Sequence, residues 1–508
     1  MSDTAPQPDT GLAVRPLRTA EDEISIEVDR YRGRPREECG LFGVFGNAEA
    51  GVLTALGLHA LQHRGQEGCG ICTFDGELFH HERHLGLVGD NFTGEDLPRR
   101  MKGHTAIGHV RYSTQGGAIL RNTQPLFADL AAGGLAIAHN GNLTNARALR
   151  EDLVQDGAIF QSTSDSEVIL QLVARSRKAG FLDRFIEALS LIEGGYALTA
   201  LTNKKLIGAR DPLGIRPLVL GDLDGAAILA SETCALDIIG ARFIRDIENG
   251  EIVVIDQNTV RSFKPFAPQR ARPCVFEYVY FARPDSLMNG RSVYDVRQRM
   301  GAHLAIETSV AADVVVPVPD SGVPAALGYA EEAKLPFQLG IIRNHYVGRT
   351  FIQPSQQSRQ IGVRMKLSAN RRQIEGKRVI LVDDSIVRGT TSRKIVQMVR
   401  EAGASEVHLR SASPPILWPD YYGIDTPERS DLIAANLTLA QMTEALGVDT
   451  LGFLSVDGLY RAMGETARDA RAPQFTDHYF TGDYPTRLLD RDRSMAEKER
   501  QLSFLVDA

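Results

Sequence analysis

Cys39 opens a glycine-rich apolar run, Cys39-Gly-Leu-Phe-Gly-Val-Phe-Gly. A thiolate is the strongest common protein nucleophile, but it needs a base. A cysteine at a free N-terminus brings its own, because an α-amino group has a pKa of ~7.7–8.0. Residues 1–38 therefore matter chemically. While they are attached, the Cys39 nitrogen is an amide and cannot take a proton; cleavage between Glu38 and Cys39 would free it. Taken alone, Cys39 is most simply a buried structural thiol. Polar segments downstream favour the nucleophile. His63-Arg64-Gly65-Gln66-Glu67-Gly68 is a polar loop bounded by glycine. Gly108-His109-Val110-Arg111-Tyr112-Ser113-Thr114 ends an apolar strand on a fixed cation, and Arg111 could hold a carboxylate by a bidentate pair. In His139-Asn140-Gly141-Asn142, the Asn140 amide and the Gly141 backbone N–H could form an oxyanion hole. In Ser162-Thr163-Ser164-Asp165-Ser166, Asp165 could hold a substrate ammonium or cap the helix that follows.

A second constellation lies further on. The apolar strand Arg378–Val382 runs into Asp383-Asp384-Ser385-Ile386-Val387-Arg388-Gly389-Thr390-Thr391, and a helix follows. A loop at the carboxyl end of a strand that opens a helix is a phosphate cradle. Its N–H groups and the Thr390 and Thr391 hydroxyls can wrap a phosphate, and paired carboxylates can bind ribose hydroxyls or Mg²⁺. The plainer alternative is a turn with two solvated acids. No Gly-x-x-x-x-Gly-Lys-Ser/Thr sequence is present, which disfavours an ATPase. Another apolar strand, Val314–Val318, ends in Pro319-Asp320-Ser321-Gly322. Between Arg343 and Arg372 there are seven cations and no acid in 30 residues, with Gln, Ser and Gly abundant. This reads as a mobile lid that neutralises a phosphate-rich substrate and excludes water. Nucleic acid is the weaker partner, because only Tyr346 and Phe351 offer aromatic faces.

These groups need elements to hold them. The 508 residues suffice for two to four domains at ~100–200 residues each. With 43% hydrophobic and 24% charged residues the composition is ordinary for globular proteins. The net charge of −7 argues against a protein that coats nucleic acid. There is no run of ~18 apolar residues to span a membrane. Five cysteines in a long chain argue against a secreted disulfide scaffold, so a soluble, cytoplasmic, multidomain protein is expected. Residues 1–38 contain nine acids, six bases and no Phe, as a flexible leader would. From 39 to about 270, short strands (Leu41–Phe45, Ala106–Tyr112, Leu135–His139, Ala197–Thr202, Pro217–Gly221, Glu251–Ile255) surround helical patterns at Ala50–Gln62 and Ser166–Lys178. That predicts a layered α+β unit. From 271 to 508, helices at Val293–Ala311, Val323–Ala333 and Thr391–Ala402 alternate with the two apolar strands, predicting a parallel α/β sheet. The charged end, Asp490–Ala508, reads as peripheral.

In order, the first set of motifs resembles class II glutamine amidotransferases, which are N-terminal-nucleophile (Ntn) hydrolases with an αββα sandwich. The resemblance implies that Cys39 attacks the glutamine amide and that Asn140 and Gly141 hold the oxyanion. It also implies that Arg64, Arg111 and Asp165 bind glutamine, Arg111 and Asp165 through its carboxylate and amine. The 379–391 signature resembles the phosphoribosyl pyrophosphate (PRPP) loop of type I phosphoribosyltransferases. That implies a PRPP site of Asp383, Asp384, Ser385, Arg388, Gly389, Thr390 and Thr391, joined by Arg343, Tyr346 and Lys366. Ser321, Asp383 and Asp384 would surround Mg²⁺. The combination, together with Glu277–Asp285 and Arg343–Phe351, resembles the amidophosphoribosyltransferase family. Ammonia from glutamine would displace pyrophosphate from PRPP to give 5-phosphoribosylamine at the start of purine biosynthesis. Purine nucleotide feedback and a homotetramer are implied by resemblance alone.

The sequence departs from one branch of that family, which carries a 4Fe–4S cluster on four cysteines. Cys274 matches the first, but Asp420, Thr476 and Tyr479 stand at the others. One thiolate cannot hold such a cluster, so none is expected. Cys69-Gly-Ile-Cys72 has C-x-x-C spacing near His80, His81 and His84, but in a strand residues three apart face opposite sides. Cys234 is expected to pack in the interior. Two other functions compete: a non-catalytic PRPP-binding regulator, and an amidotransferase acting on another sugar phosphate. The 379–391 loop speaks against the second. An intact mass lacking residues 1–38 in the purified protein is the outcome expected of the enzyme; a full-length active chain would refute N-terminal-nucleophile chemistry.

Overall fold

Along the strand Gly40–Phe45, Leu41 and Phe45 face one apolar layer while Phe42 and Val44 face another. A strand buried on both sides must lie inside a layered structure. The computed structural model describes residues 39–112, 119–131, 133–257, 259–344, 367–424, 426 and 428–492. Gly40–Phe45 is the middle strand of a seven-stranded antiparallel sheet, between Ala226–Ala230 and Thr105–Arg111. A six-stranded antiparallel sheet, containing Gly133–Leu143, Gly194–Thr202 and Leu206–Arg210, stacks against it. Leu41, Ile107, Ala138, Ala197 and Leu229 fill the space between the sheets. Helices Ala50–Ala60 and Cys234–Ile238 cover the first sheet, and Ala146–Gln155, Ser166–Arg175 and Phe181–Leu191 cover the second. The expected αββα sandwich is therefore present, with more helices than the two anticipated.

The strand Gly68–Phe74 shows the alternation at its two thiols. Cys69 packs with Phe42 and Leu58, whereas Cys72 lies between the sheets beside Leu41 and Ile107. Cys234 is buried under the first sheet.

Further along, Val314–Pro317, Arg378–Asp383, Glu406–Ser411 and Thr450–Phe453 form a four-stranded parallel sheet. Val314, Val316, Val379 and Leu381 pack on one face with helix Thr390–Glu401. Val315, Ile380 and Val382 pack on the other with helices Val293–Glu307 and Val323–Ala333. Apolar residues on both faces are what a parallel sheet between helices demands, as the sequence led us to expect. The chain then returns: Asp490 accepts hydrogen bonds from the Arg147 and Ala148 amides at 2.8 and 3.1 Å, capping helix Ala146–Gln155. That residue was expected to be peripheral.

Helices Val293–Glu307 and Val323–Ala333 cross closely enough that a Cβ on Gly301 would lie 1.8 Å from the Ala325 carbonyl oxygen. A Cβ on Gly328 would lie 1.9 Å from that of Gln298. Backbone cannot step aside as a flexible side chain can. Gly301→Ala should therefore lower the unfolding free energy by about 1–3 kcal/mol, despite its better helix propensity. A urea midpoint at or above the wild-type value would contradict the close crossing.

Candidate functional site

The central strand Gly40–Phe45 delivers Cys39 to the end of the first sheet. Its Sγ lies 3.7 Å from the Tyr112 carbonyl oxygen. Burial pushes the thiol pKa up to about 11, against the opposing effects of the Tyr112 contact and the Arg111 charge. At neutral pH Cys39 is therefore a thiol and requires a base. Arg111 ends the neighbouring strand Thr105–Arg111, and the charges of Arg111, Asp165 and Arg64 all bear on Cys39.

Asn140 and Gly141 do not follow a strand, as expected from the sequence, but lie within one, Gly133–Leu143. Gly141 has φ +134°, and a Cβ there would fall 2.0 Å from the Gly195 carbonyl oxygen. Only glycine fits this kink. The Asn140 amide is fully buried, and neither its Nδ2 nor its Oδ1 has a hydrogen-bond partner among the described residues. A buried amide without a partner is costly unless something else satisfies it, and an oxyanion would accept from its Nδ2. Asp165 stands at the start of helix Ser166–Arg175 without capping it through its side chain. Its Oδ2 accepts from the Leu143 amide at 3.0 Å and lies 3.7 Å from His139 Nδ1. Burial would raise the Asp165 pKa, but His139 and these hydrogen bonds hold it below the usual carboxylate value. A buried carboxylate kept ionised suits an ammonium ligand.

Arg64 is held by groups of the protein itself. Its Nε donates to the Cys39 carbonyl at 3.1 Å. Nη1 donates to Glu232 at 2.5 Å and to Glu277 at 3.0 Å, and Nη2 to Glu277 at 2.7 Å. With its guanidinium fully buried between two carboxylates, Arg64 braces the backbone of the nucleophile. Glu277 also lies 3.5 Å from Arg216, itself 3.8 Å from Asp420. Neither Glu232 nor Glu277 was singled out in the sequence. Glu277 had a signal: it is an acid in the buried run Val275-Phe276-Glu277-Tyr278-Val279, where an unpaired charge could not survive.

The second constellation assembles where strands Val314–Pro317 and Arg378–Asp383 end side by side. A Cβ on Gly322 would lie 2.5 Å from the Val382 carbonyl oxygen, so glycine lets the two loops meet. The Ser321 hydroxyl donates to Asp384 Oδ2, and the Ser385 hydroxyl donates to Oδ1 at 2.7 Å. Asp383 Oδ1 accepts from the Asp384 amide at 3.0 Å. Asp383 and Asp384 are buried, so they are not the solvated acids of the plainer alternative. Gly389, with φ +74°, turns the chain into helix Thr390–Glu401. Thr390 is exposed at the helix start and Thr391 half-buried behind it. Arg388 pairs with Asp431 at 3.3 Å, and Arg343 with Asp320 of the facing loop. Arg297, unnoticed in the sequence, is buried and feels the Asp384 charge; burial brings its pKa down to about 10. Tyr346 and Lys366 lie outside the described residues. The cationic segment is not all loop, since Ile341–Arg343 pairs with Leu367–Ala369 and Arg371 begins a helical turn. Carboxylate and hydroxyl oxygens of Ser321, Asp383 and Asp384 fit the hard-donor preference of Mg²⁺ beside substrate phosphates.

Residues 109–237 match a glutamine amidotransferase domain family and residues 299–411 a phosphoribosyl transferase domain family. An amidophosphoribosyltransferase of Rhizobium etli is 61% identical over 474 residues, 92% of this chain and 96% of its own. One from Bacillus subtilis is 49% identical, covering 89% of this chain and 95% of its own. The solved Bacillus subtilis glutamine PRPP amidotransferase complexed with ADP and GMP superposes with a TM-score of 0.84 at 47% identity, over 89% of this chain and 98% of that one. The chain belongs to the amidophosphoribosyltransferase family.

Within that family, the four positions at which one branch carries cluster cysteines do converge here. Cys274 forms a bridge with Thr476, its Sγ lies 3.3 Å from the Tyr479 hydroxyl, and Asp420 lies 2.9 Å from His478. One thiol, one carboxylate and two hydroxyls do not fit an iron–sulfur cluster.

Burial alone would raise the Glu232 pKa, but His63 and Arg64 hold it well below the ordinary value of 4.5. A depressed carboxylate stabilises the fold above its unfolded pKa and loses that effect as pH falls through the folded one. Glu232→Gln should therefore cost about 3–5 kcal/mol near neutral pH. The gap from wild type should shrink on acidification below about 4.5, the ordinary Glu value. Urea denaturation across pH measures both; a gap that widens in acid would reverse the assignment.

Proposed function

We propose that this chain converts glutamine, PRPP and water into 5-phosphoribosylamine, glutamate and pyrophosphate, opening de novo purine biosynthesis. Residues 1–38 are a leader that is removed, 39–270 the glutaminase, and 271–508 the phosphoribosyltransferase. The observation that carries the reading is the buried Asn140 amide, without a partner among the described residues, in a chain whose other half holds the Ser321–Asp384 loop pair.

Once the leader is gone, the Cys39 α-amine takes the thiol proton and Sγ attacks the glutamine side-chain carbonyl carbon. The carbonyl oxygen becomes an oxyanion, to which Asn140 Nδ2 and the Gly141 amide donate. Arg111 pairs with the substrate carboxylate and Asp165 with its ammonium, which fixes the amide over the sulfur. The tetrahedral carbon expels ammonia, protonated by the α-amine, and leaves a thioester. Water then releases glutamate and restores the thiol.

In the other half, the Thr390 and Thr391 hydroxyls and the N–H groups of the loop from Ser385 to Gly389 take the 5-phosphate. Asp383 and Asp384 orient the ribose hydroxyls. Arg343, Tyr346 and Lys366 would add polar and cationic groups for PRPP. Mg²⁺ held by Ser321, Asp383 and Asp384 would neutralise charge on the pyrophosphate as it departs. Ammonia attacks ribose C1 and the C1–O bond to pyrophosphate breaks. Feedback by purine nucleotides is supported by likeness to the Bacillus subtilis protein solved with ADP and GMP. A homotetramer and a cytoplasmic location rest on likeness to the family.

Cys39→Ala should abolish pyrophosphate release driven by glutamine, a fall on the order of 10⁴-fold or more. It should leave the rate with high free ammonia within about twofold. Loss of both rates in the folded variant would refute separate glutaminase and transferase sites.

A further inference from the structure

The phosphoribosyltransferase half does more than receive ammonia. A turn from that half, Asp420 to Ile424, lies against the kinked strand that carries Asn140 and Gly141. A Cβ on Gly423, at φ +127°, would fall 2.9 Å from the Gly141 Cα and 3.0 Å from its carbonyl carbon. Asn142 Nδ2 donates to the Tyr421 carbonyl at 3.0 Å. Tyr422 packs its Cβ against Gly195, the residue whose carbonyl faces Gly141. The turn thus touches the strand at the consecutive residues Gly141 and Asn142.

Asp420 sets the shape of this turn. Its Oδ2 accepts from the Tyr422 amide at 2.9 Å and from the Ile424 amide at 2.6 Å. Its Oδ1 lies 2.9 Å from His478 Nε2. Arg216, from the glutaminase half, donates from Nε to the Tyr422 carbonyl at 2.9 Å and sits 3.8 Å from the Asp420 carboxylate. Asp420, His478 and Arg216 side chains are all inaccessible to solvent. Arg216 is also 3.5 Å from Glu277, which forks onto Arg64 behind the Cys39 carbonyl. Two carboxylates of the transferase half therefore meet at one arginine. One leads to the backbone of the nucleophile, the other to the backbone of the oxyanion hole.

We propose that Asp420 is a positioning residue for the glutaminase reaction: through the 420–424 turn it fixes the Gly141 N–H and the Asn140 side chain from the neighbouring domain. The assignment rests on the function proposed above, and goes beyond it in giving the transferase half a structural part in glutamine hydrolysis. A donor displaced by a fraction of an ångström weakens the tetrahedral species more than the bound amide, so the effect falls on kcat.

Two variants test it on the processed full-length chain, with pyrophosphate release measured from glutamine and, separately, from ammonia. Asp420→Asn weakens the hold on the turn while keeping its volume. Gly423→Ala leaves every charge in place but pushes a methyl group into Gly141. Both should lower the glutamine-driven kcat by about tenfold to a hundredfold, with KM for glutamine and the ammonia-driven rate within about twofold of wild type. A merely structural role would lower both rates together. Either variant losing the two rates in equal proportion, or keeping the glutamine-driven kcat within twofold, overturns the proposal. A wild-type chain that releases no pyrophosphate from either donor overturns the functional reading and this one with it.

Discussion

A guanidinium cannot be left alone in a protein interior, and Arg64 is completely buried behind Cys39. Its position dictates much of what surrounds it. The Cys39 carbonyl takes Nε, Glu232 takes one side of the fork, and Glu277 takes the other. Glu232 follows the strand Ala226–Ala230 of the first sheet, whereas Glu277 belongs to the segment that leads into the second half. The nucleophile's backbone is therefore held by charges that both halves of the chain must supply together.

An ionic joint of this kind differs from an apolar one in what it specifies. Apolar faces tolerate small slides, because contact area hardly changes. A forked pair between Arg64 and Glu277 has one good geometry, and Arg216 between Glu277 and Asp420 repeats the constraint nearby. The surrounding apolar cluster, which includes Leu213 and Ile215 from the glutaminase half beside Phe276 and Tyr422, supplies the driving force for association. The charges fix its register. Such a joint suits two reactions that must hand ammonia from one to the other.

Much of both sites was legible because their motifs are local. The acid pair, Gly389 and the two threonines sit together in sequence and are shaped by one strand and one helix. Cys39 and Asp165 could be picked out because each lies at a break between apolar elements; Asn140 stood out as a polar residue after an apolar run, although the strand Gly133–Leu143 continues through it. The partners of Arg64 were hidden for a definite reason: a loop arginine beside a nucleophile looks like a substrate contact, and its two carboxylates are 168 and 213 residues away. The same distance hid the role of Asp420, which sequence comparison presented only as a missing cysteine. Helix Phe181–Leu191 carries Phe181, Phe185, Ala188 and Leu189 at helical spacing, a signal open to sequence reading. Helix Ala146–Gln155 shows a thin apolar stripe among charges, and its cap comes from far along the chain.

That cap has a consequence for how the molecule is made. Chains leave the ribosome from the N-terminus, and early domains generally fold first. Here the first turn of helix Ala146–Gln155 takes its acceptor from Asp490, and Arg64 takes a carboxylate from Glu277. A nascent glutaminase half would thus emerge with a frayed corner and with Arg64 held by Glu232 but lacking its second carboxylate. Both are mended only when later stretches are translated, so the half that generates ammonia reaches its finished form after the half that consumes it has been built.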